Sequence, residues 1–409
     1  MRVLFTTPIL EHPAAGGPQL RIENSIKALS FVCELDIISG STLTVGDEGK
    51  EAREFYQRYC QEFSILPRLN RPVSSNRYLR KLQRIARRLL RLYQSNLACD
   101  ASFILNHVDR RNIDVVWFGY GNISYSLIKY IKKLRPGLKV VCDTDSVWSR
   151  FILRELPYAT GIKRQQILAS GKEKEAEERA WVNLCEVTTA VSEVDAEYYR
   201  GLAIDDKCVH LFSNVIDPST YLEVPPPAKN VRSPSIYLAG TFWPDSPMEN
   251  AARWIIDEVL PLVRQTVPDV NFYIVGKDSD SVLADISDPK ITVTGKLPSV
   301  LSYLSHVDVA LVPLKFESGT RFKILEAGAC KIPLVSTTLG AEGIPVIDGE
   351  HILIADEPEG FANAIIKLLN NKELANRLAL NCHNLVNEQF SVEFLANEAK
   401  RILEYLNHD

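Results

Sequence analysis

Short apolar runs alternate along the chain with longer segments that are apolar on one side only. Residues 3–7, 32–39, 63–66, 114–119, 139–142 and 187–191 form one series of runs, and residues 235–239, 271–276, 291–294, 307–314 and 332–337 form a second. Most are rich in Val, Ile and Leu with little polar alternation, the pattern of strands covered on both faces of a parallel sheet. Segments with apolar residues at helical spacing follow: Leu20, Ile26 and Leu29 after the first run, and Ile324, Leu325, Ala327 and Ala329 after the run at 307–314. Further helices are predicted over 171–184, 360–370, 372–388 and 390–406. This alternation predicts an α/β chain built of doubly wound parallel sheets. Pro225, Pro226 and Pro227, followed by the polar stretch 229–234, make a stiff linker between the two series. It divides the chain into residues 1–228 and 229–389.

Candidate chemistry gathers where the run at 307–314 passes into its helix. Residues 315–320 are a polar loop in which Gly319 permits a close turn and Thr320 is a residue type that caps helices. Free N–H groups at a helix start attract anions, phosphate above all. Arg321 and Lys323 place two positive charges in the first turn, against the helix dipole. Holding an anion explains them; an ordinary helix start with surface cations has the same residues. Glu326, further along, is a carboxylate suited to two vicinal hydroxyls such as those of a ribose, or simply to solvent. The flanking strands put this joint at the carboxyl end of a sheet, where such folds bind ligands.

The first series offers weaker candidates. Gly16 and Gly17 lie between the first strand and a helix opened by Pro18, a loop that suits close approach of backbone to a ligand. His12 in the same loop reads as an ordinary surface residue. Asp143, Thr144, Asp145 and Ser146 follow a strand end and sit either at a cleft mouth or in a turn that caps the next helix.

Composition narrows the function classes. The 409 residues suffice for two or three domains, and a net charge of −4 with no basic domain does not fit a nucleic-acid binder. The eight cysteines are dispersed, with no C-x-x-C pair and no neighbouring His, which fits neither a zinc site nor a secreted disulfide scaffold and predicts a reduced cytoplasm. No apolar run approaches the ~20 residues of a membrane span, and the N-terminus reads as a strand rather than a signal peptide. Residues 77–93 put Tyr78, Leu79, Leu82, Ile85, Ala86, Leu89 and Leu90 on one helical face and Arg77, Arg80, Lys81, Arg84, Arg87, Arg88 and Arg91 on the other. A packed helix with a solvated basic face has this pattern. So does a helix docked on an anionic membrane surface.

The run SGTRFKILEAGACKIPLVSTTLGAEGI, residues 318–344, resembles the donor-site segment of glycosyltransferase family 4, the group 1 glycosyltransferases of GT-B fold. Its flanks, GTFWPDSPMENAARWIIDEVLP and GEHILIADEPEGFANAIIKLL, match as well. The resemblance covers the second half of the chain clearly and the first half loosely. It implies two Rossmann-like domains facing a cleft, with residues 390–409 crossing back onto the first. It implies retaining hexosyl transfer from a nucleotide-sugar co-substrate to a saccharide or lipid-linked acceptor, with no metal and no further cofactor, in polysaccharide or glycoconjugate assembly. The diphosphate would lie on Arg321, Lys323 and the helix start, and Glu326 would hold the ribose. Gly16 and Gly17 would face the diphosphate from the first domain, Gly240 and Thr241 would lie against the phosphates, and Leu297 would help seat the base. Glu317, Ser318, Gly319 and Thr320 would line the donor side, and Asp145 would serve the acceptor.

Four departures stand out, the first being that the Arg and Lys the family often carries near the loop at Gly240 are not evident. The family carries Glu, seven residues, then Glu; here the first Glu position is Ser318, and Glu317 comes one residue early. The acceptor-site His–Asp pair lacks its His. The segment FSNVID keeps only Asn214 and Asp217 of the family's Pro–Asn–Gly–Val–Asp. Family members that meet lipid-linked acceptors at a membrane, on its inner face, strengthen the docking reading of residues 77–93. A nucleotide-sugar epimerase of the same fold and a non-catalytic carbohydrate- or partner-binding relative are the alternatives.

Overall fold

The computed structural model describes residues 1–14, 16–40, 47–67 and 92–408. The basic segment predicted over residues 77–93 lies almost wholly outside them. The first sheet holds β1 (Arg2–Thr7), β2 (Glu34–Ser39), β3 (Glu62–Ile65), β4 (Val115–Gly119), β5 (Lys139–Asp143), β6 (Val187–Ala190) and β7 (Val209–Leu211), in the order 3-2-1-4-5-6-7. The second holds β8 (Ser235–Ala239), β9 (Asn271–Val275), β10 (Ile291–Val293), β11 (Val309–Val312), β12 (Leu334–Ser336) and β13 (Leu353–Ile354), in the order 10-9-8-11-12-13. Among the described residues every strand pairing is parallel, from Val3 beside Val115 in the first sheet to Leu311 beside Val335 in the second. Central strands are buried along their whole length, as β4 and β11 are, because helices cover both faces. The doubly wound α/β prediction therefore holds twice over.

β7 and β13 are absent from the apolar pattern. Both are edge strands of two or three residues, and only one residue of each is fully buried. Strands this short at an edge need no continuous apolar run, although β3 and β10, at the opposite edges, overlap two of the runs. The helix predicted to start at residue 171 runs instead over Gly161–Val182. Its first half is polar and leaves Ile162 exposed, so it carries little periodic signal. Gly171 looks like a start but is interior: a Cβ there would lie 2.3 Å from Leu153 of the helix Trp148–Leu153, which crosses at that point.

The last helix, Val392–His408, packs on Gly17–Ser30 of the first domain, so the chain crosses back. The two crossings are tied to each other and to the first sheet. Ile216 N donates to Phe390 O at 3.0 Å, and Ser213 N donates to the Glu398 carboxylate at 2.7 Å. Beneath the cleft, buried Arg21 pairs with Asp143 and donates to Asn214 Oδ1 at 2.7 Å, and Lys27 pairs with Asp217 at 2.9 Å. Asn214 and Asp217 thus fasten the crossover to the helix Gly17–Ser30. Among the described residues no helix is long and apolar enough to cross a membrane.

Candidate active site

The sheet order puts β8 beside β11 while their connections leave in opposite directions, β8 to β9 and β11 to β12. Such a switch point opens a crevice at the carboxyl ends of the strands. Residues 313–321 leave β11 there and lead to the helix Phe322–Ala329. Thr320 does not cap this helix. Arg321 is the N-cap residue, still extended at φ −93° and ψ 101°, and no side chain bonds the first amides. The Thr320 hydroxyl instead donates to Val191 O of the first domain, 3.2 Å away. One more extended residue shifts the helix start from Thr320's reach and leaves its amides without a side-chain partner.

Arg321 is 4 % exposed. Its Nη2 donates to Leu339 O at 3.3 Å, while Nε and Nη1 have no partner among the described residues. Burial pushes its pKa below the ordinary arginine value, against the pull of Glu317, Glu342 and Asp195. Lys323, one turn of chain away, reaches only the sulfur of Met248, at 3.5 Å, and burial lowers its pKa too. A cation held out of water, as Arg321 is, beside a half-buried one, as Lys323 is, with no direct carboxylate partner for either, is costly unless an anion joins them. Glu326 is also largely enclosed. Burial raises its carboxyl to about 7, although the Tyr221 hydroxyl donates to Oε1 at 3.2 Å and Lys323 favours the ionised form.

The first domain closes directly over this loop. Gly319, at φ +82°, lies so close that a Cβ would meet Asp145 O at 2.8 Å, and a Cβ on Gly17 would meet the Phe322 ring at 3.1 Å. Gly16, at φ +113°, is the N-cap of its helix. Arg154 clasps the two halves: it makes two bonds to the Glu342 carboxylate, at 2.8 and 2.7 Å, and a third to Glu317 O at 2.6 Å. Both side chains are about three-quarters buried. Arg154→Ala should therefore weaken closure by about 1–3 kcal/mol. A larger radius of gyration in solution scattering, with each sheet domain still folded, is the expected readout.

The other candidates spread around this centre. Asp145 accepts from Asn122 Nδ2 at 2.6 Å and from the Trp148 indole at 3.0 Å, and burial raises its pKa. Gly240 follows β8 and lies against Met248, the residue Lys323 touches, whose atoms a Cβ would meet at 2.8 Å. Thr241 is exposed beside it. Glu317 is half-buried, and its Oε1 accepts from Ser318 N at 3.4 Å. The Ser318 hydroxyl is enclosed and has no partner among the described residues. Leu297 follows β10, at the edge of the sheet, packed half-buried against the hydrophobic core. His12 is stacked on Phe55 with ring centroids 3.6 Å apart and bonded to Glu23 at 3.2 Å, so it faces its own domain.

Sequence reasoning missed Arg154, Asn122, Trp148, Tyr221 and Asp195. Asp195 is 2 % exposed and is pushed up to about 6 by burial, even with Arg150 at 3.1 Å. Each belongs to an ordinary helix or turn: Asn122, Trp148 and Asp195 find their partners within the first domain, and Arg154 and Tyr221 in the second. Among the described residues no group of His, Cys, Asp and Glu is arranged to hold a metal.

Residues 233–371, which contain this whole joint, match the model of the family described as glycosyl transferases group 1. The fold is GT-B. The structure of HepE from Anabaena in complex with UDP-glucose is similar over 100 % of both chains, with a TM-score of 0.66 and 12 % identity. Sucrose-phosphate synthase from Thermosynechococcus elongatus is similar over 100 % of both chains, with a TM-score of 0.69 and 14 % identity. At that identity the likeness shows the GT-B fold alone. In sequence, an uncharacterized glycosyltransferase of Methanocaldococcus jannaschii is 27 % identical over 148 residues, 34 % of this chain and 42 % of that one. An uncharacterized 44.6 kDa protein in the cps region of Klebsiella pneumoniae is 23 % identical over 146 residues, 34 % of this chain and 38 % of that one. The chain thus spans about two-fifths of the length of the curated relatives it matches.

Proposed function

We propose that this chain is a retaining, metal-independent hexosyltransferase of glycosyltransferase family 4. It moves a sugar from a nucleotide-sugar to a hydroxyl of a saccharide or lipid-linked acceptor. One observation carries the reading: the Arg321 guanidinium is buried at the interdomain contact with Nε and Nη1 unpartnered, beside a helix start that no side chain caps. That arrangement fits a diphosphate. The group 1 match over residues 233–371 and the UDP-glucose carried by HepE in the same fold support a nucleotide-sugar donor, with UDP as the first nucleotide to try.

In this mechanism the bond from the sugar's anomeric carbon to the diphosphate breaks and the diphosphate takes the electron pair. Arg321, Lys323 and the first amides of the helix Phe322–Ala329 stabilise the charge that develops there. The acceptor oxygen attacks from the same face of the sugar, and its proton passes to a phosphate oxygen. Asp145, held by Asn122 and Trp148, borders the acceptor side. The close contact of Gly319 with Asp145 keeps water from the donor. Residues 77–93 would bring the protein to a membrane-bound acceptor, an assignment that co-sedimentation with anionic vesicles tests.

Release of nucleotide from UDP-glucose only when an acceptor is present would support transfer. Turnover of the donor alone to an isomer would replace it with epimerisation, and no binding of any nucleotide would leave a non-catalytic relative. Glu326→Gln should raise KM for the nucleotide-sugar roughly tenfold while kcat changes little, since ribose binding is uniform through the reaction. A ribose diol needs the ionised carboxylate. Nucleotide affinity should therefore be level above pH 7 and fall as pH drops through about 7, where Glu326 takes up its proton. An unchanged KM in the variant would remove Glu326 from the site.

A further inference from the structure

Glu326 is held from outside its own domain. Tyr221 ends the short helix Pro218–Tyr221, in the crossover between the last strand of the first sheet and the first strand of the second. That crossover is fastened to the first domain: Asp217 pairs with Lys27 at 2.9 Å and accepts from Ser219 N at 3.1 Å, and Ile216 N is bonded to Phe390 O. From this anchored segment the Tyr221 hydroxyl donates to Glu326 Oε1 at 3.2 Å. Oε2 takes no hydrogen bond from any described residue. A carboxylate with one oxygen tied and the other open has a fixed orientation. Behind it lies Tyr237 of β8, whose buried hydroxyl has no partner among the described residues and so does not hold Glu326.

We propose that Tyr221 is a positioning residue that orients the Glu326 carboxylate for the ribose of a nucleotide, so that the segment joining the two domains completes the nucleotide site. This rests on the donor-binding reading of Glu326 given above. Two consequences follow from the geometry. The bond favours the ionised form of Glu326, because a hydroxyl can donate to a carboxylate but gains less from a carboxylic acid. The other groups that face this carboxyl are Lys323 and Cys330 on its own helix and Tyr237 from β8. Tyr237 and Cys330 stay neutral because burial raises both, so Tyr221 and Lys323 are what keep Glu326 charged. The bond also ties the segment joining the domains to the proposed ribose site.

The test is calorimetric titration of the full chain with UDP, GDP, ADP and CDP, then of Tyr221→Phe with whichever binds the wild type. Tyr221→Phe is expected to weaken that nucleotide roughly 3–10-fold, less than the loss of a direct bond to a charged group because Tyr221 acts through Glu326, and to raise KM with kcat nearly unchanged. The acid limb of the affinity profile should move to higher pH. Both effects should vanish in a Glu326→Gln background and with the 2′-deoxy nucleotide. An unshifted acid limb, or the same loss in the Glu326→Gln background, would overturn the proposal and make Tyr221 a packing residue only. Wild-type binding of none of the four nucleotides, or no effect of Glu326→Gln, would instead bring down the donor-site reading beneath it.

Discussion

Arg321→Ala is expected to lower turnover by on the order of 10²–10³, the size of the loss when one preorganised donor to a developing charge is removed. The guanidinium meets the requirement for such a donor: it is enclosed, it is fixed through Leu339 O, and it holds the N–H groups of Nε and Nη1 in reserve. Nothing has to reorganise when charge appears on the diphosphate. The same features predict an opposite effect on the fold. A buried cation with unused donors carries a desolvation cost that its protein neighbours do not repay. Arg321→Met, of similar length and apolar, should therefore unfold at a temperature no lower than wild type while losing comparable activity. A variant that lost stability and kept turnover would show that Arg321 serves the ion pairs around Glu342 and Asp195. Arg321→Lys keeps the charge but loses the planar fork, and should recover only part of the rate.

How much of this was legible in the sequence depended on where the information lies. Strands buried on both faces announced themselves because nothing but apolar residues fits there, and all eleven runs map onto strands within two residues at either end; residues 307–314 overrun by two at both ends, with Val307 and Leu314 packed outside β11. The joint at 315–326 was readable because its residues break local rules: cations where the helix dipole disfavours them, and a glycine where a helix is about to begin. What stayed hidden is whatever depends on a partner far away in the chain. Thr320 looked like a cap because its residue type caps helices, yet Val191 from the other domain claims its hydroxyl. Arg154 and Tyr221 are ordinary arginine and tyrosine residues until a fold brings Glu342 and Glu326 to them. The signal that could have found Glu342 was its place in GAEGI, two residues after one glycine and one before the next, a tight turn with a lone carboxylate.

Gly319→Ala should cost roughly 10² in kcat through closure rather than through chemistry, since a misplacement of about 1 Å at a reacting centre has that effect. The added Cβ would stand 2.8 Å from Asp145 O and 2.9 Å from Ser146 Cβ, both in the first domain. Neither atom belongs to the far end of a flexible side chain, so the loop and the first domain must separate to admit it. The backbone at φ +82° adds strain of about 1–2 kcal/mol for any residue with a Cβ. The two contributions can be told apart within this chain. Gly349 has nearly the same backbone, φ +73°, and nothing within 4 Å of its Cβ position. Gly349→Ala therefore carries the strain alone and should lower thermal stability about as much as Gly319→Ala does, with kcat unchanged. Nucleotide affinity should survive in both, because the proposed phosphate and ribose contacts lie in the second domain and the crossover, not at Asp145. If Gly319→Ala instead released nucleotide while turning over normally, the contact between loop and first domain would be incidental, and the acceptor side would have to be sought elsewhere than at Asp145. If it kept nucleotide and lost turnover, with Gly349→Ala active, then the approach of Gly319 to Asp145 is the step that brings the two substrates together.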